Sequence, residues 1–542
     1  MHIQVCVNEA GAIRNQRYAF TDRFTLISEL LQNARRAGAT RIEVTHDPDA
    51  KLLRVIDDGH GIDDFQKLLT FNESGWDEST VEEERPFGIG FSKCLYAATR
   101  CVVVSGSQRV DFQTEAALDK TPIEVEAVDS AQAIGTTIEL HGVELPELES
   151  RVETLCQGFP VAVSFNGRPL ERRFALAELA TVPTPIGAVH LAGIRDGKHT
   201  SSMLVFLQGF CVLRTSFLSD ERVNIVHLDS QKFTARLPDR DKLIDEDQQR
   251  RRIHSELKAC WRRVLEAAKA ELPDERFVET YYPAMRSWGH LDLLNDLDIL
   301  PSALCEQIVG YPVQEVHDGR DYLAPMSTAP VRADIEHGLV RLVAIDSMDE
   351  DSASRWMWAR AERHVVFDWI GLHCDHWVRN HVRFLGDEAV TVHAVSEQHR
   401  TELEGRWIWP TVILCAAVRV TVSGEAVEIT DAGVYHEGYL YIPAGEDSGE
   451  PVRQASAFTD ENEQFLDSDL DADRDALADL IARLRSVDPV QTLDSLLQTL
   501  ALRKYPLLHG KRFELTVGAG GAPGHTVLLL DQGSEGAGHA ER

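Results

Sequence analysis

The sequence has no long run of apolar residues and no cysteine pair of the CxxC type. No stretch approaches 18 uncharged apolar residues, so we expect no membrane span. Nine cysteines are spread singly along 542 residues, which indicates reduced thiols rather than a disulfide framework. The first residues lack a basic region followed by an apolar run, so no signal peptide is expected. Together these absences predict a cytoplasmic protein.

Basic residues are also scarce, since 55 lysines and arginines stand against 87 acidic residues and give a net charge of −32. Such a charge opposes loose attraction to phosphate backbones. Nucleic acid is therefore disfavoured as a partner. A composition of 43% hydrophobic and 26% charged residues is typical of a soluble globular protein with several domains.

Hydrophobic periodicity and breaks in composition divide the chain into five expected regions. The first is an α/β (α+β) sandwich with helices on one face of a sheet, and the second is an α/β unit ending in a long helix. The third is a mixed α+β region of unknown role, the fourth an acidic linker with a helical segment, and the fifth a Gly-rich tail with at most one strand. Their expected bounds are 1–148, 149–275, 276–450, 451–517 and 518–542.

Four short segments of the first region carry the chemistry. Glu29 and Asn33 are four residues apart on an expected helix at 21–38, so their side chains share a face. A carboxylate can orient and deprotonate water, and an amide oxygen can ligate Mg²⁺. By itself the pair is weak evidence, because surface pairs at this spacing are common.

The other three segments are also weak when taken alone. Asp57 ends an expected strand and is followed by DGHG, whose glycines would let the backbone approach a flat base; an ordinary turn explains the same residues. The FGIGFSK segment at 87–93 places glycines before a helix, where backbone N–H groups favour an anion. The fourth segment, Gly135-Thr-Thr-Ile, enters a strand.

The order and spacing of these segments resemble those of the GHKL (Bergerat-fold) ATPases. The resemblance covers residues 24–142 and implies an ATP site with Mg²⁺. It implies that Glu29 is the general base, that Asn33 is the Mg²⁺ ligand, that Asp57 binds the adenine amino group and that Thr136 supports Asp57 through a water. The remaining residues that it implies in nucleotide binding are Gly59, Gly61, Ile62, Ser74, Gly75, Phe87, Gly88, Ile89, Gly90, Phe91 and Lys93.

Two positions depart from the family pattern. Arg36 stands where the family usually has an acid, three residues after the asparagine. Arg85 stands where a glycine often precedes the paired glycines. Residues 72–86 would form the lid over ATP, and both arginines are expected to alter lid behaviour and phosphate contacts.

The second region extends the resemblance, over residues 1–275, to the heat-shock-protein-90-type chaperones. In that branch a basic residue of the following domain reaches the γ-phosphate, where a cation stabilises developing charge. The match to the chaperone loop favours Arg240 as this second catalytic residue, and Lys232 and Lys242 are the alternatives.

The resemblance implies an ATP-hydrolysing, chaperone-like clamp or conformational switch that acts on protein clients or partner subunits and dimerises with ATP. Two alternatives stay open. One is a nucleotide-binding regulatory module with little turnover. The other is an ATPase of the DNA-repair or topoisomerase type, or of a bacterial defence system.

One further cluster lies in the third region, at Trp369, His373, Cys374, His376, Trp377 and His381. Three of its possible ligands are too crowded for most tetrahedral metal sites. Packing of these aromatic residues in a core is therefore the favoured interpretation.

Overall fold

The computed structural model forms a mixed α/β protein with several sheets. The residues that it describes are 3–4, 6, 8–16, 18, 24–71, 76, 90–128, 135–215, 222–236, 241–313, 320–349, 351–455, 467–518 and 524–530. The chain divides into two compact units, and the first comprises Met1–Ile299 with Leu372–His376. The second unit comprises Leu300–Gly371 and Trp377–Arg542.

The first unit begins with an eight-stranded sheet in the order β5-β4-β3-β6-β2-β1-β7-β8. Neighbouring strands are antiparallel except for β1 and β7, which run parallel. The strands are β1 (Arg41–Asp47), β2 (Leu52–Asp57), β3 (Arg100–Ser105), β4 (Gln108–Gln113), β5 (Val125–Ala127), β6 (Thr136–His141), β7 (Ala162–Phe165) and β8 (Arg168–Pro169).

Six helices accompany this sheet within the described residues. They are α1 (Glu9–Gln16), α2 (Thr25–Arg36), α3 (Phe65–Leu69), α4 (Ser92–Ala97), α5 (Thr114–Leu118) and α6 (Leu148–Cys156). Leu26, Leu30 and Leu31 of α2 pack in one core with Ile42 and Val44 of β1. They lie at helical and at alternating spacing, as amphipathic elements require. Gly38 follows α2 with a φ of +73°, the left-handed conformation expected after a helix end.

A second sheet of the first unit has the order β12-β11-β13-β10-β9. Its strands are β9 (Val182–Thr184), β10 (Gly187–His190), β11 (Met203–Leu207), β12 (Phe210–Arg214) and β13 (Asn224–Leu228). Two helices follow, α7 (Glu246–Glu271) and α8 (Asp274–Trp288), and their rings of Trp261 and Trp288 stack with centroids 6.4 Å apart. The apolar positions expected along α7 are confirmed as buried: Ile253, Leu257, Trp261, Leu265 and Ala268.

The second unit contains two five-stranded sheets. The first has β14 (Cys305–Ile308), β15 (Leu323–Pro325), β16 (Leu342–Ala344), β17 (Val365–Phe367) and β18 (Val382–Phe384), with α9 (Arg332–Glu336) and α10 (Ala353–Ala361) between strands. The second has β19 (Val390–Glu402), β20 (Thr411–Val422), β21 (Glu425–Ile429), β22 (Val434–His436) and β23 (Tyr439–Ile442).

The chain continues with α11 (Asp467–Arg485), α12 (Pro489–Gln498) and a hairpin of β24 (Arg512–Val517) and β25 (His525–Leu530). Leu477 and Ile481 of α11 are buried in the core of the second unit. The buried Asp473 carboxylate accepts hydrogen bonds from the backbone N–H groups of Trp407 and Ile408 at 2.9 and 3.1 Å. The segment expected as a linker with a helix therefore contributes a helix to a core.

The expected boundaries at 148 and 275 do not coincide with structural breaks. β7 and β8 complete the first sheet after residue 148, and α8 packs on α7 across residue 275. Among the described residues, no helix is long and apolar enough to cross a bilayer. Short 3-10 turns occur at Leu176–Glu178, Leu291–Leu294, Ser302–Leu304, Trp369–Gly371, Trp377–His381, Glu450–Gln454, Leu502–Lys504 and Pro506–Leu508.

Candidate functional site

Helix α2 carries Glu29 and Asn33 in neighbouring turns. Glu29 is 6% exposed, whereas Asn33 is half-buried. A buried carboxylate needs a charged or hydrogen-bonding neighbour, because its desolvation is costly. The groups that contact the Glu29 carboxylate therefore determine whether it can act on a water or a ligand.

The start of α4 supplies that neighbour. Lys93 is buried, and its Nζ lies 3.9 Å from Oε1 of Glu29. A Cβ at Gly90 would overlap the Glu29 carboxylate, so a larger residue there would displace that carboxylate from its present position. The expected phosphate-binding residues Gly90 and Lys93 are thus packed directly against the expected general base.

Asp57 ends β2 and is 8% exposed. Its Oδ1 accepts a hydrogen bond from the Gly59 N–H at 2.9 Å, and Thr136 lies opposite it in the β2–β6 register. Burial raises the pKa of the Asp57 carboxyl, and the charge of Asp58 adds to this rise. Hydrogen bonds from the backbone N–H groups of Gly59 and Thr136 oppose it.

The glycines around Asp57 are required by the packing of the chain on itself. A Cβ at Gly59 would lie 2.7 Å from the Ala37 Cβ, and one at Gly61, where φ is +87°, would lie 2.7 Å from Ser105 Oγ. Gly135 has a φ of +90°, and a Cβ there would overlap the Asp57 backbone. Self-packing therefore accounts for these glycines without any base beside them.

Ser105, at the end of β3, is a site residue that the sequence analysis missed. Its buried Oγ accepts from the Ile62 N–H at 2.8 Å and lies 3.2 Å from the Gly135 carbonyl oxygen and 3.3 Å from Thr136 Oγ1. The Ser105 hydroxyl thus contacts Thr136, the residue that lies opposite Asp57 in the sheet. No motif contains Ser105, and only the β3–β6 pairing brings it to Thr136.

The turn after Asp57 is fixed to the end of α2. The His60 N–H donates to the Ala37 carbonyl oxygen at 2.9 Å. Asp58 accepts from the Thr40 hydroxyl at 2.6 Å and from the Arg41 N–H at 2.9 Å, and these bonds hold the pKa of Asp58 below its usual range. The Asp57 turn and the start of α4 therefore both contact α2.

Asn33 does not fit the expected Mg²⁺ ligand in this arrangement. Its amide oxygen is a suitable hard donor, but that oxygen accepts a hydrogen bond from Arg36 Nη1 at 3.5 Å. A cation bound there would share the oxygen with a guanidinium, and like charges at this range repel.

Several expected residues lie elsewhere or outside the described part of the chain. Phe91 is buried in the core of the first sheet, and Ile62 packs against that core. The residues outside the described part are Ser74, Gly75, Arg85, Phe87, Gly88, Ile89 and Arg240.

The two alternatives to Arg240 are both described. Lys232 Nζ donates to the Pro185 carbonyl oxygen at 3.0 Å and pairs with Asp229 at 3.0 Å, so it is held within its own sheet. Lys242 is exposed, and its carbonyl oxygen accepts a hydrogen bond from the Arg236 N–H at 2.7 Å.

The cluster at 369–381 is only partly a packed core. His376 is 2% exposed, but Trp369 and Trp377 are half-buried and His381 is exposed, so the expectation of core packing is wrong for most of its members. His373, Cys374 and Asp375 bring ligand-type atoms within 4.8 Å of one another. However, they are consecutive residues of one turn, and His373 Nδ1 already accepts from the Asp375 N–H at 3.3 Å.

Comparison of the chain with protein-family models and with curated protein sequences finds no match. The function is therefore inferred from the site itself. Its groups are a buried carboxylate that lies opposite Thr136 in the sheet, a second buried carboxylate beside a lysine, and an amide bonded to an arginine. Such a site can accept a hydrogen bond from a polar base and can place a carboxylate and cations near an anion.

Proposed function

We propose that residues 24–170 bind ATP and hydrolyse it as a GHKL-type ATPase. The observation that carries the proposal is the convergence of the matched segments on α2. The Asp57 turn packs on Ala37, and Gly90 and Lys93 pack on Glu29. Segments that are far apart in the sequence are thus neighbours of one helix.

In this proposal Asp57 accepts a hydrogen bond from the adenine amino group. The hydroxyls of Ser105 and Thr136 lie at the polar edge of the adenine next to that amino group. The carboxylate of Glu29 takes a proton from a water while the water oxygen bonds to the γ-phosphorus and the bond to ADP breaks. Lys93 orients Glu29 across their 3.9 Å contact. ATP binding would then be coupled to protein partners through dimerisation, as the resemblance to the chaperone branch implies.

A regulatory module with little turnover is the second candidate, because a specific observation favours it. The two groups expected to act on water and metal are both engaged by cations, Glu29 by Lys93 and Asn33 by Arg36. A site so engaged can bind a nucleotide and use it as a ligand without fast hydrolysis.

The two candidates are separated by Glu29→Ala, measured as ATP turnover and as ATP affinity on purified protein. For an ATPase we expect the turnover to fall by about 10³-fold, the range of a lost general base and its oriented water. The affinity should change by less than about threefold, because Glu29 acts on water. Asp57→Asn is the control that removes binding.

Equal turnover in the parent and in Glu29→Ala would contradict the assigned base. A parent rate no higher than that of Asp57→Asn would favour the regulatory module. Failure of the parent to bind ATP at all would contradict both candidates. The mass of the protein in solution, with and without a non-hydrolysable ATP analogue, tests the dimerisation step separately.

A further inference from the structure

The last turn of α2 carries two arginines in succession, Arg35 and Arg36. Basic residues at a helix C-terminus are expected, because they complement the helix dipole. The two side chains nevertheless go to different places. Arg35 Nε donates to Gln32 Oε1 at 2.7 Å, whereas Arg36 Nη1 donates to Asn33 Oδ1 at 3.5 Å.

Arg36 thereby lies on the face of α2 that carries the expected catalytic groups. Asn33 and Arg36 are both half-buried, so solvent screens the guanidinium only in part. The buried Lys93 of α4 lies beside Glu29, which is about two turns before Arg36 along α2. This face of α2 therefore combines one carboxylate with two cations.

A divalent cation at Asn33 would be close to Arg36. Mg²⁺ binds oxygen at about 2.0–2.1 Å, so an ion on Asn33 Oδ1 would lie no more than about 5.6 Å from Arg36 Nη1 at the present 3.5 Å separation. At this distance the ion and the guanidinium repel each other in a partly buried site. An acid at position 36 would attract the same ion.

We propose that Arg36 brings to the phosphate end of the site the positive charge that a divalent cation brings in related ATPases, so that this chain binds ATP without requiring Mg²⁺. The inference rests on the proposed function, since it concerns the same site. A guanidinium suits the task because its N–H groups can bond two phosphate oxygens at once.

The test is the ATP dissociation constant, measured by titration calorimetry on the full chain with Mg²⁺ and with a chelator. The parent should bind ATP with values within about threefold of each other in the two conditions. Arg36→Asp should bind at least about tenfold more weakly in chelator than in Mg²⁺, because the acid repels phosphate and attracts the ion. Arg36→Lys keeps the charge and should behave like the parent.

Arg35→Asp is the matched control, because it makes the same charge change one residue earlier, on the side chain that bonds Gln32. It should keep the parent ratio of the two constants. A parent that needs Mg²⁺ by more than about tenfold would overturn the inference. So would an unchanged ratio in Arg36→Asp, or an equal change in Arg35→Asp.

Failure of the inference can be told from failure of the proposed function. If the parent binds ATP only with Mg²⁺ and Asp57→Asn abolishes binding, the ATP site stands and the role of Arg36 is wrong. If the parent binds no ATP in either condition, or Asp57→Asn binds as the parent does, both are wrong. The thermal melting of Arg36→Asp and Arg36→Lys shows whether a loss of binding is a loss of folding.

Discussion

The two ends of the candidate site are constructed in different ways. The end around Asp57 is held by backbone contacts, since the Gly59 and Thr136 N–H groups reach its carboxylate and Gly135 passes against its own backbone. The end around Glu29 and Asn33 is held by long charged side chains, Lys93 and Arg36. The second end contains Arg36, one of the two positions at which the sequence departs from the pattern that it resembles.

The two kinds of contact differ in how tightly they fix the group that they hold. Backbone contacts fix a carboxylate within a narrow range of positions, because strands and turns have few soft dihedral angles. Long side chains have several rotamers and can exchange one partner for another. We therefore expect substitutions of the closely packed glycines at the Asp57 end to act on folding, and substitutions of the charged side chains at the Glu29 end to act on ligands.

The largest effect is expected for Gly135→Ala. This residue needs a φ of +90°, and its Cβ would overlap Asp57 and lie 2.8 Å from the Asp58 Cα. Backbone strain and steric overlap together should lower the free energy of unfolding by more than about 3 kcal/mol. Hydrogen exchange of peptides covering β2 and β6 measures the loss of protection directly.

Gly106→Ala is the matched control for Gly135→Ala. Gly106 also has a positive φ, +57°, but nothing lies within 4 Å of its Cβ position. Gly106→Ala should lower the free energy of unfolding by only about 1 kcal/mol and leave β2 protected from hydrogen exchange. Equal exchange in the two variants would show that the Asp57 end does not depend on this close approach.

Residues of this kind show which parts of the site can be predicted from sequence. The apolar spacing of α2 and α7 predicts both helices and their buried faces, because periodicity is a local property. The boundary at 148 fails, since the parallel pairing of β1 with β7 joins residues about 120 positions apart. Ser105 is missed for the same reason, since a pairing between distant strands brings it to Thr136. The contacts of Lys93 and Arg36 are missed because a sequence motif does not specify side-chain rotamers.

A smaller effect is expected from the raised pKa of Asp57. The folded protein holds the Asp57 proton more tightly than the unfolded chain, so the stabilisation from this proton is complete below the ordinary aspartate pKa. It is lost as the pH rises through the raised pKa, at about 1.4 kcal/mol for each unit by which the two values differ. Asp57→Asn removes the titration.

The difference in thermal stability between Asp57→Asn and the parent should therefore move in favour of the variant as the pH rises from the ordinary aspartate range toward neutrality. Asp58→Asn should move the other way, because hydrogen bonds lower the pKa of Asp58 and stabilise its charged form. Two parallel profiles would contradict the opposite pKa shifts that burial gives Asp57 and hydrogen bonds give Asp58.

The smallest effect is expected where α2 meets the second sheet. The buried Gln32 donates from Nε2 to Gln208 Oε1 at 3.0 Å, and Gln208 lies with a φ of +54° in the turn between β11 and β12. Gln208→Ala removes one neutral hydrogen bond, worth about 1 kcal/mol. ATP affinity should change by less than about threefold, because the contact lies outside the nucleotide groups.

The coupling energy from Gln32→Ala, Gln208→Ala and the double variant decides whether this contact joins the two sheets. A coupling of about 0.5–1 kcal/mol in the presence of ATP that disappears in its absence would mean that the charged end of the site transmits nucleotide binding to the second sheet. Equal coupling in both conditions would assign the bond to folding alone, and the Glu29 end would then resemble the Asp57 end more than its long side chains suggest.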